Sequence, residues 1–337
     1  MIWDSIKGHA AQVEHFRRAV SRQRLAHAYL LVGTHGIGKR LFARTLAQCL
    51  FCERMEESAL EACGECPQCQ QVRANTHPDL LTVECPEGKR ELPVALLMGS
   101  RERRGREGLC YELALRPMSA TRRVAIVDDA ELMSEESANG LLKTLEEPPQ
   151  GSIIFLLTPD TDSILPTIRS RCQPVQFAPL SDADLTDLIL EQHLTDDAST
   201  ASQTAVLAQG SLSTAKELLE PELRGLRAVV VHHLSAPGIQ PLRTVADVTA
   251  ALDKFGSDSS VQRKYAGWVV QFAVEQLRLK LHKVNDPTQA DILGTMLERC
   301  LETELHLRQT MPVPMCLEAL FDALARIQRG GELARSV

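Results

Sequence analysis

AYLLVGTHGIGKR, residues Ala28–Arg40, decides the fold. An apolar run, Ala28–Val32, stops at Gly33. Gly36, Gly38 and Lys39 then lead into Arg40-Leu41-Phe42-Ala43, which reads as a helix start. A strand, a glycine-rich turn and a helix N-terminus make a P-loop: small residues let backbone N–H groups turn toward a phosphate, the helix dipole adds partial positive charge, and Lys39 reaches the outer phosphates. One position departs from the pattern. The residue after the lysine is ordinarily Ser or Thr, whose hydroxyl holds magnesium, and here it is Arg40.

Working outward, short β-branched or apolar runs alternate with helical spacing. Ala10–Val20 places Val13, Phe16 and Val20 on one helical face, and Phe42, Leu46, Cys49 and Leu50 continue the helix after the loop. Leu80–Glu84 reads as a strand after the turn-like Thr76-His77-Pro78-Asp79. Val124–Val127 is a buried strand ending in Asp128-Asp129, Ile153–Leu157 is another, and Pro174–Phe177 is a last short strand. Asn139–Leu145 is a helix stopped by Pro148-Pro149. The alternation predicts a parallel, doubly wound α/β sheet. After Pro179 nearly everything reads as helix, with breaks near Gly210, Pro221, Pro237, Gly256 and Pro287. Tyr265, Trp268 and Phe272 form a stripe taken as core.

The bulk numbers limit the function. The 337 residues exceed one core and suggest two or three domains. A net charge of −7 argues against a chain that coats nucleic acid by itself. Met1-Ile2-Trp3-Asp4 lacks the blocks of a signal peptide and no apolar run is long enough to span a bilayer, so a cytoplasmic, membrane-free protein is expected. The charged run Arg101–Glu107, with Arg101, Arg103, Arg104 and Arg106, could touch nucleic acid, but Glu102 and Glu107 interleave and a solvated loop is the reading preferred.

Half of the ten cysteines fall between Cys49 and Cys69. Cys63, Cys66 and Cys69, at two-residue spacing, can aim three thiolates at one ion, and tetrahedral zinc needs a fourth ligand from Cys52, Cys49, Cys85 or His77. Cys52 is chosen, because Cys49 fits the apolar face of its helix. Four protein ligands close the site, so the zinc is expected to be structural. Asp128 and Asp129 resemble a Walker B pair, in which the first carboxylate holds magnesium and the second, normally Glu, activates water; Asp129 is one methylene too short for that.

With these residues placed, the first two thirds of the chain resemble the clamp-loader branch of the AAA+ ATPases. The matching pieces are His27-Ala28-Tyr29-Leu30, the cysteine module, Thr76-His77-Pro78-Asp79, the stretch Leu141–Pro149 (LLKTLEEPP) and Ser170-Arg171-Cys172. The resemblance implies a RecA-like AAA+ domain over residues 1–178 with the zinc module at about 50–75, a helical lid over 179–222, and a helical collar over 223–337 that supports oligomerisation. It also implies that Arg171 is an arginine finger reaching a neighbouring subunit's nucleotide. The family includes a hydrolysing gamma/tau motor, which carries a lid arginine in a Gly-Ser-x-Arg pattern; here Gly210-Ser211-Leu212 is followed by Ser213. Arg40, Asp129 and Ser213 are three departures in one site, so the implied role is a member that does not hydrolyse ATP, binding it weakly or not at all. An active gamma/tau-type ATPase is the competing expectation. The implied partners are gamma/tau ATPase subunits, a delta subunit, and through the assembly the sliding clamp and primed DNA. Glu91–Arg104 is extra relative to the family pattern.

Overall fold

The computed structural model describes residues 2–86, 89–309 and 311–335. The chain forms two compact units, residues 1–216 and 217–337, with the division inside one helix.

In the first unit, α1 (Ala10–Ser21) precedes β1 (Ala28–Val32), then α2 (Lys39–Phe51) and α3 (Pro67–Arg73) lead to β2 (Leu80–Val83). Next come α4 (Val94–Met98), α5 (Leu109–Ala114), β3 (Arg123–Val127), α6 (Glu135–Glu146), β4 (Ser152–Thr158), α7 (Pro166–Arg169) and β5 (Gln173–Gln176). The strands form one sheet in the order β2-β3-β4-β1-β5, and every pair is parallel. A parallel sheet is covered on both faces, which is why β1, β3 and β4 are buried at every position. Alternation along β1 divides two cores. Tyr29 and Leu31 pack with Phe16, Phe42, Leu46 and Phe155, whereas Ala28, Leu30 and Val32 pack with Val127, Leu141, Leu145 and Leu156. The expected doubly wound α/β domain, followed by a helical C-terminal region, is therefore present.

Thr76-His77-Pro78-Asp79 is a pivot of this unit. His77 stacks on Phe51 with ring centroids 4.3 Å apart, faces Gln68 Oε1 through Nε2 at 2.6 Å, and accepts the Asp79 N–H at Nδ1. Asp79, fully buried, accepts backbone N–H groups from Met118, Ser119 and Ala120, each at 2.8 Å, and lies 3.4 Å from Nε of buried Arg123. Burial opposes the Asp79 charge, but the three N–H groups and Arg123 outweigh it and hold the carboxyl below the usual carboxylate range. Asp79→Ala leaves three buried N–H groups without their acceptor and takes from buried Arg123 one of its two carboxylate partners, Glu112 remaining, and is expected to lower the unfolding free energy by about 3 kcal/mol in urea titrations at neutral pH. A lowered folded pKa gives stability that is present above the unfolded value of about 3.9 and lost as pH falls through the folded one, so the gap between wild type and Asp79→Asn should shrink below about pH 4.

After β5 the chain is helical: α8 (Asp182–Glu191), α9 (Ala198–Ala208) and α10 (Leu212–Leu219), with Ser181 and Asp197 capping the first two. The second unit holds α11 (Pro221–Ser235), α12 (Pro241–Leu252), α13 (Ser259–Leu281), α14 (Pro287–Arg308) and α15 (Val313–Arg335). Pro221 and Pro287 open α11 and α14, Gly210 and Gly256 follow helix ends, and Pro237 stands two residues past α11, so the breaks fall where these residues were read as interruptions. The aromatic stripe on α13 is core only in part. Phe272 is buried, Trp268 is half-buried and donates its Nε1–H to Glu217 at 3.3 Å, and Tyr265 stacks on Phe255. The indole N–H and phenol O–H give both rings a polar edge, which keeps them at the margin.

Candidate functional site

The P-loop occupies the carboxyl end of β1, where neighbouring strands depart in opposite directions of the sheet order, the place where open α/β sheets bind ligands. Gly36 and Gly38 have φ of +74° and +102°, left-handed conformations that favour glycine. At Gly36 space also forbids a side chain, because a Cβ would meet the Ser211 and Ser213 hydroxyls. The Leu212 N–H donates to Gly36 O at 3.0 Å, so the start of α10 rests on the loop. Below it, buried His9 faces Ile37 O through Nε2 at 2.7 Å and packs edge-on against Phe177.

Lys39 is 6% exposed and folded back: its Nζ donates to Gly33 O and, at 2.9 Å, to Thr34 O. Burial lowers its pKa, against the pull of Asp128, Glu131 and Asp129. The Arg40 guanidinium pairs with Glu84, at the end of β2, and lies 3.8 Å from Asp128 Oδ2. Asp128 is pushed up first by burial and then by the adjacent Asp129 charge. Asp129 takes a left-handed φ of +53°, and its Oδ2 accepts the Cys85 N–H at 3.3 Å. Opposite, His35 Nε2 is 3.4 Å from Glu131 Oε1, a contact that raises the histidine pKa. His35, Gly36, Lys39, Arg40, Asp128 and Asp129 line an open cleft of about 450 Å³. The structure thus brings together the P-loop and Asp128-Asp129 as the sequence reading grouped them. Glu84, His35 and Glu131 were not singled out in the sequence. Only the position of Glu84 at a strand end beside β3 hinted at its place.

Arg171 stands apart, just after α7. Its neighbour Cys172 is buried, and that burial pushes its thiol up to about 12. Arg171 instead faces outward with a 36% exposed side chain, its Nη2 2.7 Å from Glu146 Oε1 and its Nη1 donating to Thr167 O at 2.8 Å. Glu146 ends α6, so the LLKTLEEPP and Ser-Arg-Cys stretches meet at this ion pair.

The four cysteines Cys52, Cys63, Cys66 and Cys69 hold their sulfurs within 4.8 Å of one another. Cys52 caps the end of α2, Cys66 caps the start of α3, and Cys69 lies in α3. Zinc–sulfur bonds of about 2.3 Å at tetrahedral angles put sulfurs about 3.8 Å apart, and Cys63 Sγ to Cys69 Sγ is 4.0 Å. The Cys66 N–H points at Cys63 Sγ and the Cys63 N–H at Cys52 Sγ. The N–H groups of Glu65 and Cys66 bring the Cys63 thiol down to about 6, whereas burial pushes the Cys69 thiol up to about 12, so the sulfur geometry and not the titration is what suits a metal. This all-thiol donor set fits a structural zinc, which would tie the end of α2 to α3. The other candidates lie elsewhere: Cys49 is core, His77 serves Gln68 and Asp79, and Cys85 Sγ faces Lys89 O. The arginine run is exposed over residues 101–106, and two of its arginines are paired, Arg104 2.5 Å from Glu136 and Arg103 3.7 Å from Glu107. Among the described residues no helix is long and apolar enough to cross a membrane.

A P-loop on β1 of this parallel sheet, facing a carboxylate pair on β3 and followed by helical segments, defines an AAA+ type α/β domain with a helical C-terminal region. The chain belongs to the delta-prime clamp-loader family: the profile described as DNA polymerase III, delta subunit, matches residues 8–181. Among its relatives, DNA polymerase III subunit delta' of Pseudomonas aeruginosa is 37% identical over 211 residues, 62% of this chain and 61% of the relative. The Bacillus subtilis protein of the same name is 33% identical over 52% of this chain and 49% of its own. DNA polymerase III subunit gamma of Buchnera aphidicola is 30% identical over 60% of this chain and 53% of its own. The chain spans about half to three fifths of the length of these relatives.

Proposed function

We propose that the chain is a non-hydrolysing subunit of the DNA polymerase III clamp loader that supplies Arg171 as an arginine finger to a neighbouring gamma/tau-type ATPase. It would act beside a delta subunit in loading the sliding clamp onto primed DNA. The observation that carries this reading is Arg40. Hydrolysing P-loop proteins hold magnesium between the hydroxyl after the lysine and a strand-end aspartate. Here the hydroxyl is missing and a guanidinium paired with Glu84 lies 3.8 Å from that aspartate, Asp128, where a second cation would be repelled. Asp129, short and engaged with the Cys85 N–H, is a poor base for water. ATP therefore binds weakly or not at all in a form that turns over. The separate lid over 179–222 and collar over 223–337 belong to this proposal, as does structural zinc on Cys52, Cys63, Cys66 and Cys69.

The competing reading, an active gamma/tau-type ATPase, draws on the retained Lys39 and on the gamma relative. Assembly tests the partner assignment. The purified chain mixed with gamma/tau and delta subunits should co-elute with them in size-exclusion chromatography. Failure to join them would point instead to an AAA+ adaptor outside replication.

A further inference from the structure

We propose that the C-terminal helical unit holds an aliphatic carboxylate in a cavity between α13, α14 and the connection from α11 to α12, with Lys280 and Lys283 as the cationic partners of its head group. The site lies wholly within residues 217–337 and takes no part in the chemistry assigned to Arg171 or to the P-loop.

The cavity holds about 360 Å³, within the range of roughly 300–1,000 Å³ usual for small-molecule sites. Ile239, Leu277, Val284, Ile292, Leu293 and Met296 form its walls. Leu277, Leu293 and Met296 are buried, so the floor belongs to the core of the helical unit. Walls of this kind favour an alkyl group over a sugar or a phosphate chain. Gln328 fixes one side: its Oε1 accepts the Ile239 N–H at 3.1 Å and its Nε2 donates to Pro237 O at 2.8 Å, which pins the connection from α11 to α12.

The charges lining the cavity have one sign. Lys280 and Lys283 contribute to it, and no carboxylate does among the described residues. Half-buried Lys280 donates one of its three N–H groups to Leu234 O, in the last turn of α11. Burial lowers its pKa, and no carboxylate stands close enough to raise it. Lys283 is exposed and has no ion pair among the described residues. A plainer account has Lys280 serve the dipole at the end of α13, where it occupies the last turn. That account leaves the apolar hollow and the unpaired Lys283 without a role. A carboxylate brings a single charge to the two ammonium groups, whereas a phosphate would bring up to two and cost more to desolvate beside these walls. A free alkyl acid and the C-terminus of a peptide with an apolar last residue share this chemistry.

The test titrates the full chain, carrying 13C-methyl methionine, with octanoate and separately with acetyl-Leu-Leu bearing a free carboxylate. Binding is read from the Met296 methyl signal and from calorimetry. At least one probe should saturate at one per chain and move that signal, and the tighter of the two identifies the source as a small acid or a chain terminus. Octylammonium, with a similar alkyl chain and the opposite charge, should bind about tenfold or more weakly than octanoate. Lys283→Gln should weaken the better probe by about tenfold, the loss of a charge-assisted contact, with unchanged thermal melting showing that the variant is folded. The proposal is overturned if the Met296 signal stays still at millimolar concentrations of both probes, if octylammonium binds as tightly as octanoate, or if Lys283→Gln loses nothing.

Discussion

Replacing Arg171 by alanine should lower ATP turnover at the neighbouring subunit's site by about a thousandfold, the low end of what arginine fingers contribute to phosphoryl transfer. The transferring phosphoryl group spreads negative charge over its equatorial oxygens, and a guanidinium delivered from a second subunit stabilises that charge without entering the chemistry otherwise. Arg171 is suited to delivery: half-exposed, next to buried Cys172, and held outward on Glu146 at 2.7 Å. An exposed pair of this kind contributes at most about 1 kcal/mol to folding, so the variant's own melting temperature should hardly move. Single-turnover hydrolysis in an assembly with gamma/tau, beside a melting curve of the isolated variant, separates the two effects. Arg171→Lys should restore little, because an ammonium lacks the planar fork. Unchanged turnover in the Arg171→Ala assembly would remove the finger assignment.

The second large effect concerns metal. Cys66→Ser should abolish zinc binding, taking the metal content from about one zinc per chain to near none. Structural zinc in small modules carries on the order of 10–16 kcal/mol of binding free energy at neutral pH, and that energy is spent on folding the module. Loss of one thiolate among four should therefore release the segment between the end of α2 and α3, visible as new protease cleavage between residues 52 and 66 while the sheet stays intact. Elemental analysis of wild type and variant checks the claim. Wild type without zinc, or Cys66→Ser retaining it, would discard the ligand set.

Most of the sheet was legible because its strands are buried on both faces. Ala28–Val32, Val124–Val127 and Ile153–Leu157 are continuous apolar runs that no surface segment would carry, and the P-loop glycines mark a turn that few other residues can make. Cysteine spacing was similarly informative, since Cys63, Cys66 and Cys69 constrain one another locally. Long-range electrostatics was not legible. Nothing in the sequence near Arg40 announces that Glu84 lies within reach, because the pair forms only when folding brings the end of β2 beside the start of α2. Nor did Thr76-His77-Pro78-Asp79 betray its work, since the N–H groups that Asp79 caps belong to Met118, Ser119 and Ala120, some forty positions later. The α13 stripe misled for a related reason: helical spacing marks a face, but it does not say how far a Trp or Tyr edge on that face lies from water.

The central claim, that this chain does not turn over ATP in its own loop, is tested most directly by ATP hydrolysis on the purified chain alone. No phosphate release above the buffer background is expected, with or without magnesium. Release at a rate typical of a motor ATPase, abolished by Lys39→Ala, would contradict it and return the chain to the active gamma/tau-type reading.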